Sequence, residues 1–381
     1  MVFLRSHHVR YFQRCLKVLP CAFATLDDKR LMTIAYFAVS GLDLLNAFDE
    51  IEDPNSIIEW IYSLQVLPDS KGTNVHRCGF RGSQANGCCS GDGASAGTSH
   101  EFDSGHIAMT YTALLTLVIL GDDLSRVDKV ALLRALKALQ KKTGSFSASV
   151  DGSEDDMRFV YCASAICYML HDWSGMDTDD TLRFIRNCYC YDGGIAPYPG
   201  LESHGGSTFC AVASLSLMGK LKSTLSERQL NRLRRWCLFR QQSGFQGRPN
   251  KPIDTCYSFW VGAALELLGA FKFVDGGRNL EFLDSTQDQF VGGFSKWPDS
   301  DPDPMHAYMG IAGMSLMGVE DLLALHPALN LSQRAHGHLQ QLHKAWDSHA
   351  AATGNEGEER TLHRENDVDR RSKLTSHCAY S

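Results

Sequence analysis

Residues 226–268 read SERQLNRLRRWCLFRQQSGFQGRPNKPIDTCYSFWVGAALELL, and this stretch holds one complete structural unit. From Ser226 to Arg240 apolar side chains recur at helical spacing among arginines, the pattern of a helix with one wet face. Ser243-Gly244-Phe245 is a turn signature closed by an aromatic. From Cys256 onward the chain is apolar almost all round, which predicts a buried helix. An outer amphipathic helix, a glycine turn and a buried inner helix together make one hairpin.

The unit recurs along the chain. Turn signatures end at Phe80, Phe146, Ile195, Phe245 and Phe294, and the last three steps are 49, 50 and 49 residues. The first step is 66. A Gly-, Ser- and Cys-rich insertion at 82–100 accounts for the excess and reads as a surface loop. The apolar segments after the turns carry early aromatics at Tyr111, Tyr161, Phe209, Phe259 and Tyr308, spaced by 50, 48, 50 and 49. Lys129–Leu139 is a second clear outer helix, and Met32–Leu45 reads as one more inner helix. Repeats of this period indicate a solenoid, propeller or array. About six hairpins whose inner helices need cover on both sides are best served by a closed ring. The expected fold is therefore all-α: an α/α toroid, or α6–α6 barrel, over residues 1–346. In such a ring the positive ends of the inner helices share one mouth. The polar, aperiodic stretch 347–381 reads as a disordered tail.

Composition narrows the function classes. Of 381 residues, 37 are Lys or Arg and 44 are Asp or Glu, so the net charge is −7. That balance argues against a general nucleic-acid binder, which needs a basic face, but leaves room for a local basic pocket. The longest strongly apolar run, Tyr111–Leu120, is about half of what a membrane span requires. The N-terminal MVFLRSHHVRYFQRC lacks the apolar core of a secretion signal. The 13 scattered cysteines read as reduced thiols of a cytoplasmic protein.

The polar residues that share the repeat phase point to a site. His204 and Asp254 are 50 residues apart, as are Cys256 and His306, and each lies at or near the start of an inner helix. In a ring, equivalent positions of successive repeats are neighbours. Asp, Cys and His form an accepted zinc set with a fourth position open. The plainer alternative makes them a helix cap, a core thiol and a satisfied histidine. Arg248, Lys251 and Lys296 lie in the turns just before, and Tyr257 follows Cys256. Cations, a hydroxyl and helix N-termini together suit a phosphate or diphosphate. Inner-helix aromatics, Trp260 among them, make an apolar lumen that suits a long hydrocarbon. The string Asp177-Thr178-Asp179-Asp180 matches the acid motif of protonation-initiated terpene cyclases, but at the head of an amphipathic segment it reads as helix capping.

Longer strings carry a resemblance. DSGHIAMTYT, GSEDDMRFVYCAS, GLESHGGSTFCAVASL, GRPNKPIDTCYSFWVGA and GGFSKWPDSDPDPMHAYMGI are similar to the β subunits of protein prenyltransferases, most closely the type I geranylgeranyl enzymes, over residues 3–346. The resemblance implies a zinc-dependent enzyme that moves geranylgeranyl from geranylgeranyl diphosphate to the cysteine of C-terminal CaaX proteins, such as small GTPases, with X mainly Leu. It implies one Zn²⁺ on Asp254, Cys256 and His306, with diphosphate contacts at His204, Arg248, Lys251, Tyr257 and Lys296. Lys296 stands where farnesyl enzymes carry an Asp that supports Mg²⁺, so Mg²⁺ is not expected to be required. It further implies a lipid pocket at Thr33 and Trp260 and a peptide pocket at His106, Ala108, Phe159 and Met305, where the family usually has Leu at the last. An obligate α-subunit partner completes the implied heterodimer. The rival readings are a farnesyltransferase-type β subunit, opposed by Lys296 and Thr33, and a non-catalytic lipid-binding toroid, which has no need of the site residues. The final Cys378-Ala379-Tyr380-Ser381 is CaaX-shaped, which we read as coincidence.

Overall fold

Among the described residues, twelve of the helices alternate between two roles. The computed structural model describes residues 3–18, 31–84 and 103–349. The outer helices are α1 (Arg5–Lys17), α3 (Pro54–Ser63), α5 (Lys129–Leu139), α7 (Thr178–Asn187), α9 (Glu227–Leu238) and α11 (Gly276–Thr286). The inner helices are α2 (Leu31–Leu44), α4 (Ile107–Leu120), α6 (Met157–Met169), α8 (Gly205–Leu217), α10 (Tyr257–Leu267) and α12 (Pro304–Leu316). Each inner helix packs against the next, and α12 packs back against α2, so the six close into a ring. The chain divides into two compact units, Met1–His336 and Gly337–Ser381. The ring lies in the first. In the second, residues 337–349 are helical. Most of the insertion (85–100), nearly all of the tail expected to be disordered (350–381) and the CaaX-shaped end lie outside the described residues.

Burial explains the alternation. Every residue of α4 except Ala108 is buried. By contrast α9 buries Leu230, Leu233, Trp236 and Cys237, one stripe at helical spacing. Outer helices α3, α5, α7, α9 and α11 begin on Asp53, Asp128, Asp177, Ser226 and Asp275, whose side chains accept a backbone N–H of the first turn. Asp177 of the DTDD string is therefore a cap, and Asp180 pairs with Arg183. The turn residues Phe80, Phe146, Ile195, Phe245 and Phe294 are fully buried. Gly144 is obligatory in its turn: φ is 92°, and a Cβ would stand 2.1 Å from the Asp180 carbonyl oxygen.

The repeats are stitched at one end. The N–H groups of Ile107, Met157, Gly205 and Thr255 donate to the carbonyls of Ala148, Pro197, Gly247 and Lys296, each in the turn of the following repeat, at 2.8–3.0 Å. The inner-helix N-termini thus face one rim.

The opposite end is sealed. A short hairpin pairs Leu325–His326 with Leu331–Ser332. It sits at the C-terminal ends of the inner helices, where Leu323 N–H donates to Leu44 O and Arg334 to Ile119 O. Its carbonyls at Ala328, Leu329 and Asn330 accept from the hydroxyls of Tyr161, Tyr111, and both Tyr36 and Tyr308. This modifies the sequence expectation for the lumen. Tyr111, Tyr161, Phe209, Phe259 and Tyr308 are at most 7% exposed, because they pack on one another and on this plug. Of the inner-helix aromatics named from the sequence, Trp260 keeps a partly exposed side chain. Among the described residues no helix is long and apolar enough to cross a membrane.

Candidate active site

Asp254, Cys256 and His306 meet at the rim. Their ligand atoms all lie within 4.8 Å of one another, and all three residues are buried. The local chain explains the placement. Asp254 Oδ1 accepts the Cys256 N–H at 2.9 Å, folding the turn so that both side chains face the same point. His306 arrives from the next repeat on the first turn of α12, which begins at Pro304 with Asp303 as its cap. Asp303 Oδ1 accepts the N–H groups of Met305 and His306 at 3.0 Å, while Oδ2 accepts from His306 Nδ1.

That last bond fixes the tautomer. A carboxylate can only accept, so Nδ1 keeps its proton in the neutral ring and Nε2 is the nitrogen free to bind a metal once its own proton is displaced. Nε2 is buried without a hydrogen-bond partner, 3.2 Å from Asp254 Oδ1. An orphaned imidazole nitrogen beside a thiol and a carboxylate fits a tetrahedral metal site with one position open. The electrostatics agree. Burial alone would lower the His306 pKa, but the Asp254 and Asp303 carboxylates overcome it and hold it at about 9. Burial tends to raise Asp254, and its contacts with His306 and Cys256 outweigh that and keep it below the usual carboxylate range. Burial and the neighbouring Asp254 push the Cys256 thiol well up. The cluster therefore wants a cation, and a divalent one can displace both protons.

The second cluster adjoins the first. His204 caps α8, its Nδ1 accepting the Gly206 N–H at 3.0 Å. Its Nε2–H therefore faces the Tyr257 oxygen, 3.0 Å away, and leaves the phenolic O–H to donate elsewhere. Burial and the nearby Arg248 lower the His204 pKa, so the imidazole is neutral. Burial, with Cys256 and Asp254 close by, raises the Tyr257 phenol. Arg248 is half-exposed and pairs with Glu202 at 2.9 Å. Lys296 Nζ lies 3.8 Å from Asp254 Oδ2 and over the Trp297 ring, 4.5 Å from its centroid, so it bridges the two clusters. Lys251 is exposed on the same turn, its carbonyl fixed by Gln246 Nε2 at 2.6 Å.

The remaining sequence candidates fall around this core. Trp260 packs on Phe209 and Phe259. Thr33 Oγ1 donates to the Met109 sulfur across the α2–α4 contact at 3.3 Å. His106 caps α4, and its ring meets the edge of Phe159 at 6.2 Å. Ala108 and Met305 stand part-exposed in the first turns of α4 and α12. The sequence reading missed Asp303, Glu202 and Met109. Asp303 was signalled by the Asp-Pro step at a helix start, whereas the other two become visible only through their contacts.

Residues 3–331 match the prenyltransferase alpha-alpha toroid domain family. The chain is 40% identical over 340 residues to the geranylgeranyl transferase type-1 subunit beta of Arabidopsis thaliana, covering 86% of this chain and 89% of the relative. It is 39% identical over 339 residues to the protein of the same name from Dictyostelium discoideum, covering 86% and 95%. The structure superposes on Candida albicans protein geranylgeranyltransferase-I complexed with GGPP, with a TM-score of 0.76, 27% identity, and 89% and 99% of the two chains covered.

Proposed function

From the premise that the chain belongs to the prenyltransferase alpha-alpha toroid family, we propose that it is the β subunit of a protein geranylgeranyltransferase type I. It transfers geranylgeranyl from geranylgeranyl diphosphate to the cysteine thiol of a C-terminal CaaX sequence, with X mainly Leu, and it works as a heterodimer with an α subunit. The observation that carries the reading is the buried Asp254–Cys256–His306 set opening on a mouth ringed by cations and inner-helix N-termini.

Each residue then has a task. Asp254, Cys256 and His306 hold one Zn²⁺, which when bound supplies a Lewis acid that keeps a cysteine thiol deprotonated near neutral pH. Asp303 holds His306 in the ligating tautomer. His204 orients the Tyr257 hydroxyl toward the leaving diphosphate. Arg248, Lys251 and Lys296 stabilise the negative charge that grows on it. With Lys296 in place, Mg²⁺ is not required. The lumen takes the isoprenoid, with Thr33 and Trp260 on its wall, and the buried surroundings exclude water that would otherwise hydrolyse the lipid. His106, Ala108, Phe159 and Met305 receive the apolar end of the peptide.

The test is single-turnover prenylation of a CaaL peptide by the chain co-expressed with an α subunit, using geranylgeranyl and farnesyl diphosphates in parallel. Faster transfer from the twenty-carbon lipid is expected. A preference for the fifteen-carbon lipid would assign the chain to the farnesyl branch, and no transfer from either would refute the enzymatic reading.

A further inference from the structure

Away from the mouth, one buried cation makes no ion pair, although the Asp192 carboxylate is near enough to attract it. Arg240 follows the C-terminus of α9, is 8% exposed, and has an Nη1 with no hydrogen-bond partner. Its Nε donates to the Trp236 carbonyl at 3.3 Å, and its guanidinium lies 4.8 Å from the Trp236 ring centroid. It lines a cleft of about 350 Å³ with Arg232 and Arg235. Asp192 lines the same cleft but is already engaged: Oδ2 accepts from Trp236 Nε1 and Ser203 Oγ, and Oδ1 from Gly194 N–H. Arg232 donates to the Tyr191 carbonyl, and Arg235 sits over the Phe239 ring at 5.0 Å. None of the three arginines forms an ion pair among the described residues. A buried guanidinium N–H without an acceptor is costly unless something else completes it.

The surroundings say what kind of group completes it. Phe239 is 61% exposed, Tyr191 93% and Leu201 56%. A second cleft, of about 580 Å³, shares Asp192 and Pro249 with the first and is lined by Tyr191 and Leu201. An inorganic anion accounts for the arginines but not for three exposed apolar side chains beside them. A protein surface accounts for both, since arginine and aromatic anchors characterise the energetic centres of interfaces. The clefts also run up to the candidate active site: Pro249 follows Arg248, and the Glu202 that lines the second cleft pairs with it.

We propose that Arg240, flanked by Arg232 and Arg235, receives an acidic side chain of the second subunit, while Phe239, Tyr191 and Leu201 pack against apolar groups around it. The inference rests on the heterodimer reading above. It locates the α-subunit dock on the α9 face and places the partner's edge next to Arg248.

The experiment measures the dissociation of purified heterodimer on dilution, by single-molecule mass measurement, for wild type, Arg240→Met, Phe239→Ser and the control Arg183→Ala. Phe239 and Arg183 are at the surface, so Phe239→Ser tests the dock, and Arg183→Ala serves as control, without a folding risk. Removing one partner of a buried interfacial charge pair should raise the dissociation constant by about 30-fold or more. Phe239→Ser should raise it about tenfold, and Arg183→Ala should leave it unchanged. Turnover at saturating α subunit should stay at the wild-type value in all of them. If Arg240→Met and Phe239→Ser both dissociate within threefold of wild type, the dock is elsewhere. If inorganic phosphate stabilises the wild type but not Arg240→Met, and dissociation is unaffected, the cleft is a small-anion site and the proposal fails. A wild-type chain that associates with no α subunit would instead overturn the heterodimer reading itself.

Discussion

Replacing Asp303 with Asn and with Ala separates two jobs that one carboxylate performs. Oδ1 caps α12 through the Met305 and His306 N–H groups, and Oδ2 accepts from His306 Nδ1. Asparagine caps a helix as well as aspartate does, so the first job survives in Asp303→Asn. The second does not. In the same pose the amide presents NH₂ to Nδ1, which favours a lone pair there and drives the proton to Nε2, the ligating atom. Loss of such an outer contact typically costs 10–100-fold in metal affinity, or about 1.4–2.7 kcal/mol. Asp303→Ala loses the same contact and adds roughly 0.5–2 kcal/mol for the missing cap. The expected pattern is weaker zinc binding in both variants, with the larger fall in unfolding temperature of the zinc-free protein in Asp303→Ala, which loses the cap as well as the charge. Chelator competition on the purified heterodimer gives the affinity, and calorimetry gives the stability. An Asn variant that holds zinc within threefold of wild type would refute the tautomer argument.

Three further outcomes follow from the geometry. Thr33→Trp should put an indole where Thr33 meets Met109 between α2 and α4 and shift preference toward farnesyl diphosphate by tenfold or more, since overpacking costs about 1–3 kcal/mol; an unchanged ratio of kcat/KM for the two lipids would show that Thr33 does not bound the pocket. Lys296→Ala should slow the chemical step about 100-fold with little response to Mg²⁺, and Lys296→Asp should be slow but partly rescued by millimolar Mg²⁺; a wild-type rate that climbs steeply with Mg²⁺ would count against the ammonium's role. His8 is buried, stacks on Phe294 and accepts the Gly293 N–H, and burial lowers its pKa to about 4. Because the unfolded chain binds this proton more readily, the stabilisation is complete above about pH 6.5 and fades as pH falls to about 4, by up to about 3 kcal/mol; His8→Gln should flatten that part of the urea-midpoint profile, and an equally steep wild-type and variant profile would place the acid sensitivity elsewhere.

The repeat was legible in the chain because every hairpin solves the same burial problem with the same residues. A capped amphipathic helix, a turn closed by Phe or Ile and an apolar helix must recur in phase, so Phe146, Ile195, Phe245 and Phe294 announce the architecture locally. The metal cluster was legible for the same reason: Asp254, Cys256 and His306 occupy related positions in adjacent repeats, and adjacency in the ring turns phase into proximity. Tertiary structure alone decided the rest. The plug that seals the lumen joins Tyr36 to Asn330 and Tyr161 to Ala328 across 294 and 167 residues, and no periodic pattern marks a contact made once. The role of Asp303 depends on which oxygen faces which nitrogen, a matter of side-chain pose. The unsatisfied guanidinium of Arg240 lay hidden just past a helix that carries other arginines in plain view. Exposure and counter-charge belong to the folded surface, where residues distant in the chain either neutralise one another or are left for a partner.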